Sequence, residues 1–196
     1  MSERPTATTG IRRLCVFCGS RLGTAAVYRN EAARLAQILA ARGIGLVFGA
    51  GHIGLMGVLA DAVLAAGGQA VGVIPQALVD RELAHGGLTE LHVVDTMHQR
   101  KARMEELSDG FVALPGGYGT ADEVFEMLTW AQLGIHSKPI GLLNTAGFFD
   151  PLLAWLDRCV AEGFMKPKHR ALLIAAGDPA GLIECIIERS RAEQGM

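Results

Sequence analysis

Apolar residues in this chain fall in short unbroken runs separated by longer amphipathic stretches. Runs at 14–18, 45–48, 70–74, 111–114 and 139–143 lack the in-out alternation of a half-exposed strand. That is the pattern of strands buried on both faces of a parallel sheet. Helical spacing fills the gaps: Ala33, Leu35, Ala36, Ile38 and Leu39 lie on one side of a helix that stops at Gly43. A small-residue helix over 55–66 closes at Gly67-Gly68, and Pro75 ends the third strand. After an irregular passage at 76–89, which contains Asp80, Arg81 and Glu82, the pattern predicts a strand near 91–94 and a helix over 96–107. Beyond the run at 111–114 it predicts helices over about 120–133 and 148–162, on either side of the strand 139–143. A short apolar run at 172–175 and a last helix over 179–191 complete it. This alternation predicts a single-domain, Rossmann-like doubly wound α/β fold over 11–196, with a parallel sheet covered by helices on both faces. The first ten residues read as a disordered tail. Ligands of such folds sit at the carboxyl ends of the strands, where strand order reverses. Four loops are therefore expected at one cleft: 19–24, 49–57, 95–101 and 115–120.

Composition narrows the partners. With 196 residues, half of them hydrophobic, the chain can bury one full core. A formal charge of -2 argues against a nucleic-acid binder, so any anionic ligand must be held by a local cluster. No apolar run reaches spanning length and residues 1–10 lack the core of a signal peptide, so a cytoplasmic protein with no membrane partner is expected. The four cysteines, Cys15, Cys18, Cys159 and Cys185, lie in apolar segments and read as reduced thiols. Cys15-x-x-Cys18 falls inside a predicted strand with no second ligand pair, which favours core packing over zinc or redox chemistry. The six histidines show no metal-ligand spacing, and no G-x-S-x-G elbow is present. No metal or cofactor is called for. His98 is expected near the cleft, either touching ligand or capping a helix.

Chemistry concentrates in FVALPGGYGTADEVFE, residues 111–126. It reads as a buried strand, a turn, a glycine-rich loop, and a helix opening at about Thr120 with Asp122 and Glu123 in its first turn. Gly116, Gly117 and Gly119 remove the Cβ atoms that would hold a ligand off the backbone. Amides running into a helix start make an anion site. A carboxylate beside bound phosphate repels it unless the two address different parts of one ligand, so Glu123 reads as chemistry and the loop as grip. Asp122 reads as a complement to the helix dipole, and Glu126, one turn beyond Glu123, as a supporting group or a bystander. A second cluster, TMHQRKARM at 96–104, carries Arg100 and Arg103 on a helix that opens at the same sheet edge. A guanidinium there can fork onto a phosphate or the acceptor edge of a base. Residues 49–54, GAGHIG, match the dinucleotide fingerprint, but the next strand ends in Pro75 without the acidic residue that would hold ribose hydroxyls. Tight backbone packing is the better account of those glycines.

The pairing of TMHQRKARM with LPGGYGTADE resembles the signature of the Lonely guy family, the cytokinin riboside 5′-monophosphate phosphoribohydrolases. The resemblance extends from Cys15-Val-Phe-Cys-Gly-Ser20 through Gly54-Leu-Met-Gly57 and Ile74-Pro75 to Glu162-Gly-Phe-Met165, nearly the whole chain. Ala50 departs from it, standing where many members carry glycine. The resemblance implies hydrolysis of the N-glycosidic bond of adenosine 5′-monophosphate, or of its N6-prenylated form, to free base and ribose 5-phosphate. It implies that Arg100 and Glu123 are catalytic. Nucleotide contacts are implied for Lys101, Gly117, Tyr118, Gly119, Thr120, Glu82 and Thr129; Gly116, Ser20 and Met97 join the expected substrate-binding set. Relatives once labelled lysine decarboxylases would need a cofactor-linked lysine, and the only lysines are Lys101, Lys138, Lys166 and Lys168. The competing reading is a nucleotide-binding module without turnover, resembling the molybdenum cofactor carrier proteins. A helix bearing Phe125, Met127, Leu128, Trp130 and Leu133 is apolar over a wide arc, which with the resemblance implies a homodimer.

Overall fold

The computed structural model describes residues 10–81 and 83–194, with the side chain of Gln194 left out. The expected tail therefore lies almost wholly outside the described residues, and Glu82 lies outside them too. Among the described residues, seven strands form one all-parallel sheet: β1 (Arg13–Phe17), β2 (Gly45–Phe48), β3 (Ala70–Pro75), β4 (Glu90–Val94), β5 (Phe111–Ala113), β6 (Ile140–Leu143) and β7 (Leu173–Ala176). Their order is β4-β3-β2-β1-β5-β6-β7, so the chain reverses direction across the sheet between β1 and β5.

The helices are α1 (Ala26–Ala41), α2 (Gly54–Ala65), α3 (Gln76–Val79), α4 (Met97–Glu106), α5 (Tyr118–Gln132), α6 (Asp150–Ala161), α7 (Pro167–Arg170) and α8 (Pro179–Gln194). Alternate residues of each central strand feed two cores. Leu14, Val16, Leu46 and Phe48 point to α1, α2 and α8, where they meet Leu35, Leu39, Leu59, Leu182 and Ile186. Cys15, Phe17, Val47, Val73 and Phe111 point the other way and pack on Met104, Val124, Met127 and Leu156 of α4, α5 and α6. Burial on both faces is why these runs show no alternation. The edge strand β4 differs: its Leu91 and Val93 are exposed.

Local signals account for the element ends. Gly43, at φ 68°, follows the last turn of α1 in the left-handed conformation glycine adopts without strain. Thr96 accepts from the Gln99 amide while the Gln99 side chain reaches back to Thr96, a reciprocal cap that starts α4. The cap is thus Thr96 and not His98, which is exposed. The passage at 76–89 contains the short α3, and Ala84 forms an isolated bridge to Gly51. α5 opens at Tyr118, two residues before the expected start, because Gly117 already supplies the first carbonyl of the helix ladder to the Ala121 amide at 3.1 Å. Asp122 and Glu123 therefore sit in the second turn.

Candidate active site

The carboxyl ends of β1 and β5 flank the point of reversal, and the four expected loops meet there. Hydrogen bonds stitch three of them together: the Gly19 amide donates to Pro115 O at 3.1 Å, and the Leu55 amide donates to Gly19 O at 3.1 Å. Gly54 allows this contact, since at φ 64° a Cβ on it would lie 2.2 Å from the Ser20 carbonyl carbon. The loop after β2 is braced in turn by the 83–85 segment, through His52 N to Leu83 O at 3.2 Å and His85 N to Ala50 O at 2.8 Å.

The result is a cleft of about 230 Å³ lined by Cys18, Ser20, Gly49, Met56, Arg100, the 117–120 backbone and Glu123. It shares Gly19, Ser20 and Gly117 with a second cavity of about 350 Å³, whose walls include Leu22, Tyr28, Leu55 and Phe148. Helix geometry leaves the first-turn amides of α5 without carbonyl partners behind them, and these amides border the cleft. Gly116 lets this loop close on itself, because a Cβ there would sit 2.1 Å from Thr120 Oγ1. Gly117 and Gly119 have open space where a side chain would project, which leaves the backbone bare on the ligand side.

Arg100 and Glu123 come together inside this cleft, with Nη1 3.5 Å from Oε1. Both are buried, at 9% and 8% exposure. Arg100 is held by its Nε–H, which donates to Val73 O at 3.1 Å, and its Nη1 lies 4.0 Å from Met97 Sδ. The guanidinium fits only because residue 49 is glycine: a Cβ there would lie 1.7 Å from Nη2. The first glycine of the fingerprint-like loop therefore makes room for an arginine, a role no sequence pattern signals. Burial pushes the Glu123 carboxyl up to about 7, against the lowering pull of Arg100. Asp122 and Glu126 add to the rise, and Lys101 opposes it. A buried carboxyl that titrates near neutrality, facing a guanidinium in a cleft, is suited to proton transfer and to stabilising developing positive charge.

The remaining expected residues divide. Ser20, Gly117, Tyr118, Gly119 and Thr120 line the cleft, Gly116 lines the adjoining cavity, and Met97 lies exposed beside Arg100. The Tyr118 side chain is 98% exposed, so its backbone lines the cleft while its ring stands in solvent. Thr129 is not brought to the cleft. Its hydroxyl donates to Phe125 O at 2.7 Å, and it borders a separate hollow with Leu128, Met165 and Arg170. Lys101 is buried and lies 3.0 Å from both Asp122 Oδ2 and Glu126 Oε2. Burial disfavours its charge, yet the two carboxylates outweigh that and hold it above its ordinary value, which is unfavourable for a Schiff-base lysine. Asp122 is thus an ion-pair partner one turn into the helix, not a dipole complement in its first turn. Cys15 and Cys18 are core thiols, and among the described residues no His/Cys/Asp/Glu group could hold a metal ion. Among the described residues no helix is long and apolar enough to cross a membrane.

Comparison with known proteins agrees with this architecture. The solved molybdenum cofactor carrier protein of Chlamydomonas reinhardtii superposes with a TM-score of 0.68 at 22% identity, covering 90% of this chain and 96% of that one. The molybdenum cofactor binding protein of Rippkaea orientalis gives 0.68 at 22%, over 89% and 94%. At that identity the likeness carries the fold alone. Residues 56–186 match the family model described as "Possible lysine decarboxylase". A protein of Oryza sativa subsp. japonica named "Probable cytokinin riboside 5′-monophosphate phosphoribohydrolase" is 50% identical over 177 residues, 90% of this chain and 78% of that protein. A cytokinin riboside 5′-monophosphate phosphoribohydrolase of Arabidopsis thaliana is 46% identical over 177 residues, 90% of this chain and 83% of its own length. With such identity sustained along most of its length, the chain belongs to the Lonely guy family, that of the cytokinin riboside 5′-monophosphate phosphoribohydrolases.

Proposed function

We propose that this protein hydrolyses the N-glycosidic bond of adenosine 5′-monophosphate or its N6-prenylated form, releasing the free base and ribose 5-phosphate. The 5′-phosphate rests on the 117–120 amides at the start of α5, where the helix dipole favours an anion. That leaves the sugar over Glu123 and Arg100. As the C1′–N9 bond breaks, its electron pair leaves with the purine and positive charge develops on the sugar. A carboxylate facing that centre is worth more in the transition state than in the ground state. Ionised Glu123 orients the attacking water and takes its proton, while the purine nitrogen acquires one from solvent. Arg100 offsets the negative charge that builds on the departing base. In this reading Ser20, Gly116 and Thr120 shape the phosphate cradle and Met97 borders the base.

The observation that carries this reading is the buried Arg100–Glu123 pair, 3.5 Å apart beneath a helix start. A carrier that only binds has no need to bury such a pair. Incubation with adenosine 5′-monophosphate and with its N6-prenylated form, followed by chromatography for free base and ribose 5-phosphate, tests it. Binding without release would favour the carrier. A homodimer is part of the same proposal, supported by exposed Leu133, Ile135, Trp155 and Phe164.

A further inference from the structure

The seat of the Arg100 guanidinium is built on a strained turn. Gly49, over which the guanidinium lies, is followed by Ala50 at φ 59°, a left-handed conformation that an L side chain adopts only at a cost. The Ala50 methyl is fully buried and fits because residue 72 is glycine, where a Cβ would lie 2.6 Å from it. Something must hold this turn. The 83–85 segment does so residue by residue: His85 N–H donates to Ala50 O at 2.8 Å, Ala84 bridges to Gly51, and Leu83 O accepts from the His52 amide at 3.2 Å. The segment is moored in turn by the His85 ring. Gly87 N–H donates to Nδ1 at 3.1 Å, which leaves Nε2 to donate to Asp61 Oδ1 on α2 at 3.0 Å. One residue therefore ties the turn to the helix that follows it.

On the reading of Arg100 given above, we propose that His85 is a positioning residue. It holds Ala50 in its strained conformation and so keeps Gly49 flat beneath the guanidinium, with Arg100 Nη1 3.5 Å from Glu123 Oε1. Its own side chain lines neither the cleft nor the adjoining cavity. With the tie cut, Ala50 relaxes toward negative φ, the backbone under Arg100 turns, and the guanidinium loses its place against the carboxylate. A shift of about 1 Å at a reacting pair is enough to cost on the order of a hundredfold in rate. The loss falls on kcat, because Arg100 acts on charge that develops only as the bond breaks.

The test is a double-mutant cycle between His85→Ala and Ala50→Gly, on a nucleotide that the wild-type protein cleaves; wild-type turnover decides the function, and the variants decide His85. His85→Ala alone is expected to lower kcat about tenfold or more with KM within about twofold. Made on top of Ala50→Gly, the same change should lower kcat less than about threefold, because glycine holds a positive φ without strain. Equal losses in the two backgrounds would overturn the proposal. A KM raised about tenfold at unchanged kcat would also overturn it, by making the 83–85 segment a nucleotide contact. Should the wild type cleave neither nucleotide, the same four proteins are compared by denaturant unfolding. His85→Ala should then lower the midpoint more with Ala50 in place than in the Ala50→Gly background, and equal shifts refute the tie. Should His85→Ala not fold, Asp61→Ala, at a mostly exposed side chain, cuts only the mooring of the ring. Its kcat should fall about threefold at unchanged KM, and an unchanged kcat refutes the proposal.

Discussion

Glu123→Gln should make the protein inactive and, above neutral pH, more stable. Glutamine reproduces the shape of the protonated acid, so the substitution removes only the cost of ionising a buried group. In the folded chain this carboxyl is raised from 4.5 to about 7, with burial the largest cause. A rise of that size is worth about 3 kcal/mol at 1.36 kcal/mol per unit. The sign follows from proton binding. Between pH 4.5 and 7 the folded state holds a proton that the unfolded state has released, so wild-type stability falls as pH rises through that window. The full contribution is present below 4.5 and is lost above 7. Thermal unfolding at fixed protein concentration should then show the variant about 6–12 °C more stable than wild type at pH 8, with the gap closing toward pH 5. Base release from the nucleotide, followed in parallel, should be lost. A variant no more stable than wild type at pH 8, or a gap that persists unchanged at pH 5, would refute the claim that Glu123 is ionised at the expense of the fold.

Three further outcomes follow from the same geometry. In the wild type, kcat/KM should rise about tenfold per pH unit and level off near 7. A limb near pH 6 instead would be that of the substrate phosphate. Gly49→Ala should lower kcat about a hundredfold, because its Cβ would lie 1.7 Å from Arg100 Nη2 and displace the guanidinium from Glu123. Normal turnover in that variant would remove Arg100 from the mechanism. Gly54→Ala meets Ser20 backbone at a positive φ, so it should cost roughly 2–3 kcal/mol of stability, read by denaturant unfolding. An unchanged midpoint would count against the stitched-loop description.

Much of the molecule is legible in its sequence, for a physical reason. Uninterrupted runs such as 45–48 and 70–74 can bury both faces only in a helix-covered parallel sheet, and that topology brings the strand ends, with their glycine loops, to one edge. The Arg100 and Glu123 segments are thereby neighbours before any coordinate is known. The direction of each side chain across a helix crossing is a different matter, because periodicity assigns a residue to a face of its own helix and says nothing of what another helix presents there. Only the tertiary structure turns Lys101 away from the cleft onto Asp122 and Glu126, leaves Thr129 bordering a different hollow, and makes Gly49 the space an arginine occupies. Burial of Glu123, which moves its carboxyl toward neutrality, is likewise a property of the packed helices around it and of no single stretch of chain.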